Sequence, residues 1–435
     1  MSFRPYSAYR SSGAPWLGDI PVHWQIGRFR HFFSESRDVI SDDVFGPMLS
    51  VSGYRGIEVK EYDDENRRRR PDELIGYRIV RRGQLVVNTM WLNYAGLGVS
   101  AYDGHVSPAY RSYFIDQSLD PRYAHHLLRS STCVQGYTMF LTGVRPNSLQ
   151  MSRDDLLGFQ IAVPPSSEQV AIADFLDHET TKIDALVAEQ ERLIALLKEK
   201  RQALISHAVT KGLDPNVPMK DSGVEWLGQV PAHWEVGGLT RFIGPVVDYR
   251  GRTPTKADDG MFLVTARNVR RGRIDYAVSE EYVDPAEAEL LLRRGRPEIG
   301  DVLFTMEAPL GEVAIVDRTD IALAQRIVKF RGKPARLGND FLAYWLMAQP
   351  CQEQLQTLAT GSTALGIKAS KLGMIVCVVP PVAQQQQIVA FLKEQAIRID
   401  ALVAQSRHAI SLLGERRSVL ISAAVTGKID VRGLA

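Results

Sequence analysis

Two parts of this sequence carry side chains suited to reading the edges of nucleic-acid bases. The run Thr265-Ala266-Arg267-Asn268-Val269-Arg270-Arg271-Gly272-Arg273 sets four arginines and an asparagine at an expected strand end and turn. A guanidinium offers a planar fork for guanine or phosphate, and a carboxamide can pair with adenine through two hydrogen bonds. Nearer the N-terminus, Tyr54-Arg55, Trp91-Leu92-Asn93-Tyr94 and the loop Gly104 to Arg111 mix aromatic, amide and basic groups. The candidate contacts are therefore Tyr54, Arg55, Trp91, Asn93, Tyr94 and Arg111 in the first half, and Arg267, Asn268, Arg270 and Arg271 in the second. Residues 1–165 contain 18 Arg but a single Lys, Lys60. The Arg67–Arg70 run follows the acidic stretch Glu61–Glu65, so it reads equally well as a solvated charged loop.

Signatures of catalysis are missing. A phosphate-binding GxxxxGK[ST] loop is absent, and Gly96-Leu97-Gly98 lacks the third glycine of a dinucleotide fingerprint. There is no HExxH, GxSxG or kinase set. Val163-Pro164-Pro165-Ser166 has neither flank of an adenine-methyltransferase motif, and Glu58-Val59-Lys60 has the tail of a nuclease motif without its Pro-Asp. His23 and His233 stand in a duplicated Pro-x-His-Trp segment without a duplicated acid or thiol nearby, which suggests packing. The three cysteines, Cys133, Cys351 and Cys377, are scattered, which excludes a disulfide framework and a Cys-rich zinc module. No metal site and no cofactor of the chain's own is expected.

Lys and Arg number 52 against 50 Asp and Glu, so any electrostatic footprint must be local. No window approaches 18 apolar residues and the N-terminus has no apolar signal region. The expectation is a cytoplasmic protein without membrane contact.

What positions these residues is a chain written twice. Trp16-Leu-Gly-Asp-Ile-Pro-Val-His-Trp24 returns as Trp226-Leu-Gly-Gln-Val-Pro-Ala-His-Trp234, an offset of 210. Val163–Thr210 aligns without gaps to Val379–Thr426, an offset of 216, with 24 of 48 positions identical. The regions between these anchors diverge. The repeated segments read as helices of about 45 residues, roughly 65–70 Å long, opened by a proline stop and a Ser cap and closed by Gly212 and Gly427. A 3,4 spacing runs through Ile183, Leu186, Gln190, Leu193, Leu197, Lys200 and Leu204. It recurs as Ile399, Leu402, Ser406, Ala409, Leu413, Arg416 and Leu420. Three heptads in each copy predict two helices that pair with each other, with Ile183, Leu186, Leu193, Leu197, Leu204, Ile399, Leu402, Leu413 and Leu420 at the seam.

The divergent inserts predict mixed α+β domains. Strands are expected at 48–54, 77–90 and 99–115, and at 262–269, 301–306, 312–317 and 325–331. Helices are expected at 121–130 and 339–358, and short strands at 159–163 and 375–379 lead back into the repeated helices. Because the repeat places segment 1–33 where 211–243 follows the first helix, the end of the second helix should lie near the N-terminal arm.

Over essentially its whole length the chain resembles the specificity subunits of type I restriction–modification systems. The resemblance rests on the Trp-Leu-Gly-x-hydrophobic-Pro-x-His-Trp entries at 16 and 226, the Pro-Pro-x-x-x-Gln turns at 164 and 380, the Ile-Asp-Ala-Leu helices and the Leu-Ile-Ser-x-Ala-Val-Thr-x-Gly endings. Gly251-Arg252-Thr253-Pro254, Thr305–Ala314 and Asp103–Tyr110 look like recurrent segments of that family's target-recognition domains. The resemblance implies two such domains, 1–163 and 212–379, joined by helices 164–211 and 380–435 in an antiparallel coiled coil with pseudo-two-fold symmetry.

Each domain would read one half of a split double-stranded DNA target. Two methyltransferase subunits and two motor–nuclease subunits would dock on the frame and bring S-adenosylmethionine, ATP and magnesium. A diverged DNA endonuclease or methyltransferase, and a coiled-coil adaptor binding protein, are the alternatives.

Overall fold

The computed structural model describes residues 3–62, 69–143, 149–249, 253–361 and 365–434. Arg67 and Arg68 of the basic run, and Gly251 and Arg252, lie outside the described residues. The chain forms two compact units, 1–190 with 407–435, and 191–406. These units cut across the segments expected from the sequence, because each takes half of both long helices. The first long helix is Ser166–Lys211 (46 residues) and the second Val382–Val425 (44 residues). Both start after a Pro-Pro pair, and Gly212 (φ +81°) and Gly427 (φ +71°) adopt the left-handed conformation that ends a helix.

In the first unit, a four-stranded antiparallel sheet has the order Phe33–Glu35, Arg111–Ile115, Leu85–Val87, Leu97–Val99. The expected strand 77–90 is broken by a turn at Gly83 (φ +86°), so Arg78–Val80 pairs instead with Gly104–Val106. Leu49–Ser52 and Gly56–Val59 form a separate hairpin. Helices Pro121–Arg129 and Ser131–Thr138 cover the sheet. Phe29, Phe33, Tyr113, Tyr123, Tyr137 and Phe159 share one core with Ile172 and Leu176 of the first long helix and Leu420, Ala424 and Val425 of the second. Full burial of such side chains stabilises by about 1.5–3 kcal/mol each, so the insert is welded to the helices.

The second unit has a six-stranded sheet in the order Val247–Asp248, Ile327–Phe330, Val302–Met306, Leu310–Ile315, Gly272–Ile274, Val269–Arg270. A smaller sheet joins Lys256–Ala257, Tyr282–Val283, Met261–Val264 and Ile321–Leu323. The expected helix 339–358 is two helices, Asn339–Met347 and Gln349–Leu358, which meet at Ala348. Ile205, Ala208 and Val209 of the first long helix and Ile388 and Leu392 of the second complete the core.

Although the inserts lack sequence similarity, they dock on equivalent helix residues. In the first unit the Gln169 carboxamide accepts from Asp120 N (2.7 Å) and donates to Ser118 O and Pro164 O. In the second, Gln385 accepts from Gly338 N (2.8 Å) and donates to Arg336 O and Pro380 O. Each thereby fastens the start of the helix that covers the sheet. Ser422 meets Ser131 Oγ (2.7 Å), and Ser206 Oγ accepts from Gln349 N (2.9 Å).

The Pro-x-His-Trp segments follow the same rule. Glu168 takes His23 Nε2 (2.9 Å), Trp24 Nε1 (3.1 Å) and the Tyr6 hydroxyl, whereas Gln384 takes His233 (2.9 Å) and Trp234 (2.8 Å). The second helix does end at the N-terminal arm. Asp430 N donates to Arg4 O (2.8 Å), Tyr9 Oη donates to Gly427 O (2.9 Å), and Gly427 packs on Pro21 and Trp24. Gly212 packs on Trp234 in the same way.

Within each unit the helix halves run antiparallel. In the first, Arg417 reaches Asp184 (3.4 Å) and Arg416 reaches Glu179 (3.8 Å), while Tyr123 Oη touches Val425 O beside the start of the first long helix. In the second, Arg201 pairs with Asp400 and donates to Ala396 O (3.3 Å). Arg201–Asp400 and Asp184–Arg417 are the same pair at the 216-residue offset.

The seam itself departs from expectation. Ile183, Leu197, Ile399 and Leu420 are buried and Leu204 and Leu413 half-buried, but Leu186 (46% exposed), Leu193 (42%) and Leu402 (46%) face outward. The inward series is 183, 187, 190, 194, 197, 201, 204, and likewise 399, 403, 406, 410, 413, 417, 420. Both series have 3,4 spacing. In the doublets Leu186-Val187 and Leu193-Ile194 the second residue turns inward, and this phase brings Arg201 and Arg417 to their aspartates.

Candidate nucleic-acid interface

In the first unit five of the six candidates gather in turns at one end of the four-stranded sheet. The turn Trp91–Ala95 links Leu85–Val87 to Leu97–Val99, with Leu92 buried beneath it and Ala95 left-handed (φ +53°). Trp91 and Tyr94 stand exposed in an edge-to-face pair (6.2 Å), available to stack or to bond. Asn93 is half-buried, and its Oδ1 is enclosed without a hydrogen-bond partner.

The hairpin turn bearing Tyr54 and Arg55 lies against this turn, so close that a side chain at Gly53 would strike Tyr94 O. Arg55 is exposed and pairs with Glu58 (3.1 Å). Tyr54 reaches the long helices, with its hydroxyl on Asp184 (3.2 Å) and its ring under the Arg417 guanidinium (5.2 Å).

Sequence reasoning missed the group that joins these turns. Arg129, at the end of the helix Pro121–Arg129, donates to Ser52 O (3.2 Å), Gly53 O (2.9 Å), Ala95 O (3.0 Å) and Leu97 O (2.5 Å). Burial pushes its pKa down to about 10, so it remains a cation. One turn earlier, burial and the neighbouring Arg129 push His125 down to about 3. His125 Nδ1 accepts from Val99 N (3.2 Å), as a neutral ring can. Four residues separate the two on one helix face, but only the folded loops reveal what that face meets.

Arg111, the sixth candidate, begins its strand opposite Val87 at the same end of the sheet, with its guanidinium engaged. It bonds Glu35 (2.7 Å), which also takes Arg153 (3.0 Å) and lies 3.9 Å from Arg78. Burial raises the Glu35 carboxyl, but the bonds from Arg111 and Arg153 outweigh it and hold it below the usual carboxylate range.

In the second unit Arg267, Arg270 and Arg271 are exposed on the turn that opens at Thr265, with Arg270 Nε bonded to Arg267 O (2.9 Å). Arg271 has φ +48° and its N–H donates to Glu312 (3.2 Å). Asn268, expected to read a base, is fully buried instead. Its Oδ1 accepts from Thr265 N and Oγ1 (both 2.8 Å) and its Nδ2 donates to Asp275 O and Ser279 O (both 2.9 Å). Every polar atom of the side chain is used to close the loop that displays the arginines.

Thr142, beside Gly143, and Thr360, beside Gly361, also correspond. Thr142 bridges Gln150 and Thr360 bridges Gly366, each next to the strand end that carries the hairpin turn. Among the described residues no group of three or more His, Cys, Asp or Glu could hold a metal ion, and no helix is long and apolar enough to cross a membrane.

Comparison with known proteins follows the same lines. Residues 286–410 match the type I restriction modification DNA specificity domain. Beyond that segment, the chain is similar to specificity subunits of type I restriction enzymes. The MjaVIII specificity subunit of Methanocaldococcus jannaschii is 25% identical over 289 residues, 63% of each chain. The EcoKI specificity subunit of Escherichia coli is 21% identical over 71% of this chain and 65% of its own. The matched region thus spans just under two thirds of these relatives.

Among solved structures, a chain from work on complex assembly and conformational transition of the type I R-M system aligns over 93% of this chain and 98% of its own, at 15% identity and TM-score 0.63. The HsdS subunit from Thermoanaerobacter tengcongensis aligns over 94% and 98%, at 13% identity and TM-score 0.50. These likenesses show the fold, α+β inserts on long helices.

Proposed function

We propose that this chain is the DNA-reading subunit of a type I restriction–modification complex and has no catalysis of its own. Each insert reads one half of a bipartite double-stranded target from the loop end of its sheet. The observation that carries this reading is the pairing of conserved docking with divergent display. Gln169 and Gln385 fasten the inserts identically, while the displayed groups are Trp91, Tyr94 and Arg55 in one and Arg267, Arg270 and Arg271 in the other. A frame that repeats while its exposed groups vary suits two different half-sites held at a fixed separation. Base-edge contacts would supply sequence preference, and arginines on phosphate would set register.

The repeated helices would carry two methyltransferase subunits, with two motor–nuclease subunits joining them in the cytoplasm. S-adenosylmethionine, ATP and magnesium would be bound by those partners.

The test is co-expression with the cognate methyltransferase subunit in a methylation-free host, followed by sequencing for modified adenines. A single motif with two defined halves and a fixed spacer is expected. A stable complex that methylates a contiguous motif, or none, overturns the reading. Binding of the purified complex to that motif should weaken steeply between 50 and 200 mM salt, by roughly a thousandfold or more if several phosphates are contacted.

A further inference from the structure

The two inserts can be matched strand by strand although their sequences cannot. Leu85–Val87 and Leu97–Val99 form the antiparallel hairpin that Val302–Met306 and Leu310–Ile315 form in the second unit, and Arg111–Ile115 pairs with its first strand as Ile327–Phe330 does. The covering helices Pro121–Arg129 and Asn339–Met347 lie against the second strand of each hairpin. On this match the turn Trp91–Ala95 takes the place of Glu307–Gly311, and Ala95 (φ +53°) corresponds to Gly311 (φ +85°). In the register of the third strand, Arg326 corresponds to Ala109.

The candidates drawn from the sequence therefore fill only part of the second unit's loop end. The place occupied by Trp91–Tyr94 in the first unit is occupied there by Glu307. Its carboxylate meets Arg326 Nε at 3.2 Å, and both side chains are nearly half exposed (45% and 46%). The backbone under this pair is firm. Met306 N donates to Arg326 O (2.8 Å), Ile367 N to Met306 O (3.0 Å), and Glu307 bridges Gly366. Arg326 has φ +77°, a conformation most side chains avoid. Of the five described non-glycine residues with positive φ, Arg271, Ala308 and Arg326 stand at this one end of the second unit's sheet and Ala95 at the matching end of the first. Such strain persists where surrounding structure imposes it, and functional sites are where it collects.

We propose that Glu307 and Arg326 read one G·C base pair of the half-site recognised by the second unit, an inference that rests on the DNA-reading role above. In the major groove, guanine presents O6 and N7 to a guanidinium fork and its partner cytosine presents an N4 amino donor to a carboxylate. An Arg and a Glu at 3.2 Å can address the two bases of one such pair. In the free protein each group satisfies the other, and the contact is replaced when DNA enters. Arg270 and Arg271, on the neighbouring turn, then position phosphate or read the adjoining base.

The experiment compares methylomes of wild-type, Glu307→Gln and Arg326→Gly chains, each co-expressed with the methyltransferase subunit. Glycine at 326 removes the guanidinium while relieving the left-handed backbone, so folding should survive, and a thermal melt of the purified complex checks it. Both variants should relax the same G·C position of one half-site, with roughly tenfold to hundredfold lost discrimination there. The other half-site and the spacer should stay unchanged. Unaltered motifs, relaxation at different half-sites, uniform loss across all sequences, or a half-site without G·C would each overturn the assignment. A wild-type chain that yields no bipartite motif would instead overturn the DNA-reading role.

Discussion

The two loop ends present a similar arrangement of turns and hold it by different physics. In the second unit, Gly272–Ile274 joins the main sheet by parallel pairing, Gly272 to Ala314 and Arg273 to Ile315, so the arginine turn is fixed by ladder hydrogen bonds. In the first unit the corresponding hairpin, Leu49–Ser52 with Gly56–Val59, stays outside the main sheet. Its carbonyls, and those of the Trp91–Ala95 turn, are held by the guanidinium of Arg129. At the matching place on the other covering helix stands Met347, which packs against Gly272 and has no polar work to do. A buried cation with four carbonyl partners replaces a strand pairing. One frame can thus display unrelated loops, provided each insert finds its own way to satisfy its backbone.

The same contrast extends to the buried acids and ranks the consequences of breaking it. The largest effect is expected at Asp301, which is 1% exposed and takes Lys329 (3.0 Å) and Arg331. Asp301→Asn leaves the nearly buried Lys329 uncompensated, a loss of about 3–5 kcal/mol. Hydrogen exchange should place the loss in residues 191–406.

Acid should reproduce this loss in both units. Burial raises the Asp301 carboxyl, but Arg331 and Lys329 outweigh it and hold it below 3.8; Arg111 and Arg153 likewise hold Glu35 below 4.5. Because both folded values are depressed, their stabilisation is complete above the unfolded values and is lost as pH falls through the folded ones. Denaturation midpoints should decline below about pH 4, and less steeply in Asp301→Asn.

A smaller change is expected for Arg129→Met, which writes the second unit's residue into the first. Hydrogen bonds from a charged donor contribute roughly 1.5–3 kcal/mol, so the loops 52–56 and 91–97 should exchange faster and the first half-site should lose discrimination. The reciprocal Met347→Arg supplies a cation where no carbonyls wait for it. If Arg129→Met leaves both the loops and the half-site intact, the clamp is ornamental and the contrast between the units fails.

Next in size is Glu168→Gln, which copies Gln384. The first unit then keeps acceptors for Trp24 and His23 but loses the charge facing the Tyr6 hydroxyl and His23. A cost of about 1 kcal/mol is expected, read as a shift in the thermal melt. This junction is where the N-terminal arm meets Gly427 without a covalent link, whereas Gly212 runs on through the chain to Trp234. A cost several times larger would mean that charge, rather than packing, closes it.

Much of this architecture was legible because the repeat left its anchors unchanged: Pro-Pro before each helix, Gly after it, and His-Trp where each insert begins. The sites were legible only as composition. Asn268 and Arg267 are neighbours of equal promise in the sequence, yet the turn buries the one whose carboxamide closes it and exposes the other. Glu307 and Arg326 are 19 positions apart and meet only because adjacent strands end together. Arg129 reads as the last residue of an amphipathic helix, and its carbonyl partners come from two loops far away in the chain.

The smallest predicted effect concerns the helix seam. The doublets Leu186-Val187 and Leu193-Ile194 offer two apolar residues where a heptad needs one, so the pattern alone supports either phase. The ion pairs decide it. With 187 and 194 inward, the same face brings position 201 inward and carries Arg201 to Asp400; the copy carries Arg417 to Asp184. An inward 186 phase would bury Lys200 and Arg416 instead. Leu186→Gln and Leu402→Gln should therefore change stability by no more than about 0.5 kcal/mol, as exposed substitutions do. Ile399→Ala, one step away on the inward face, should cost about 2–5 kcal/mol. A loss at Leu186 equal to that at Ile399 would restore the other phase and separate both arginines from their aspartates. If Leu186→Gln leaves the melt unchanged but weakens association with the methyltransferase subunit, the outward leucines belong to the partner's docking face.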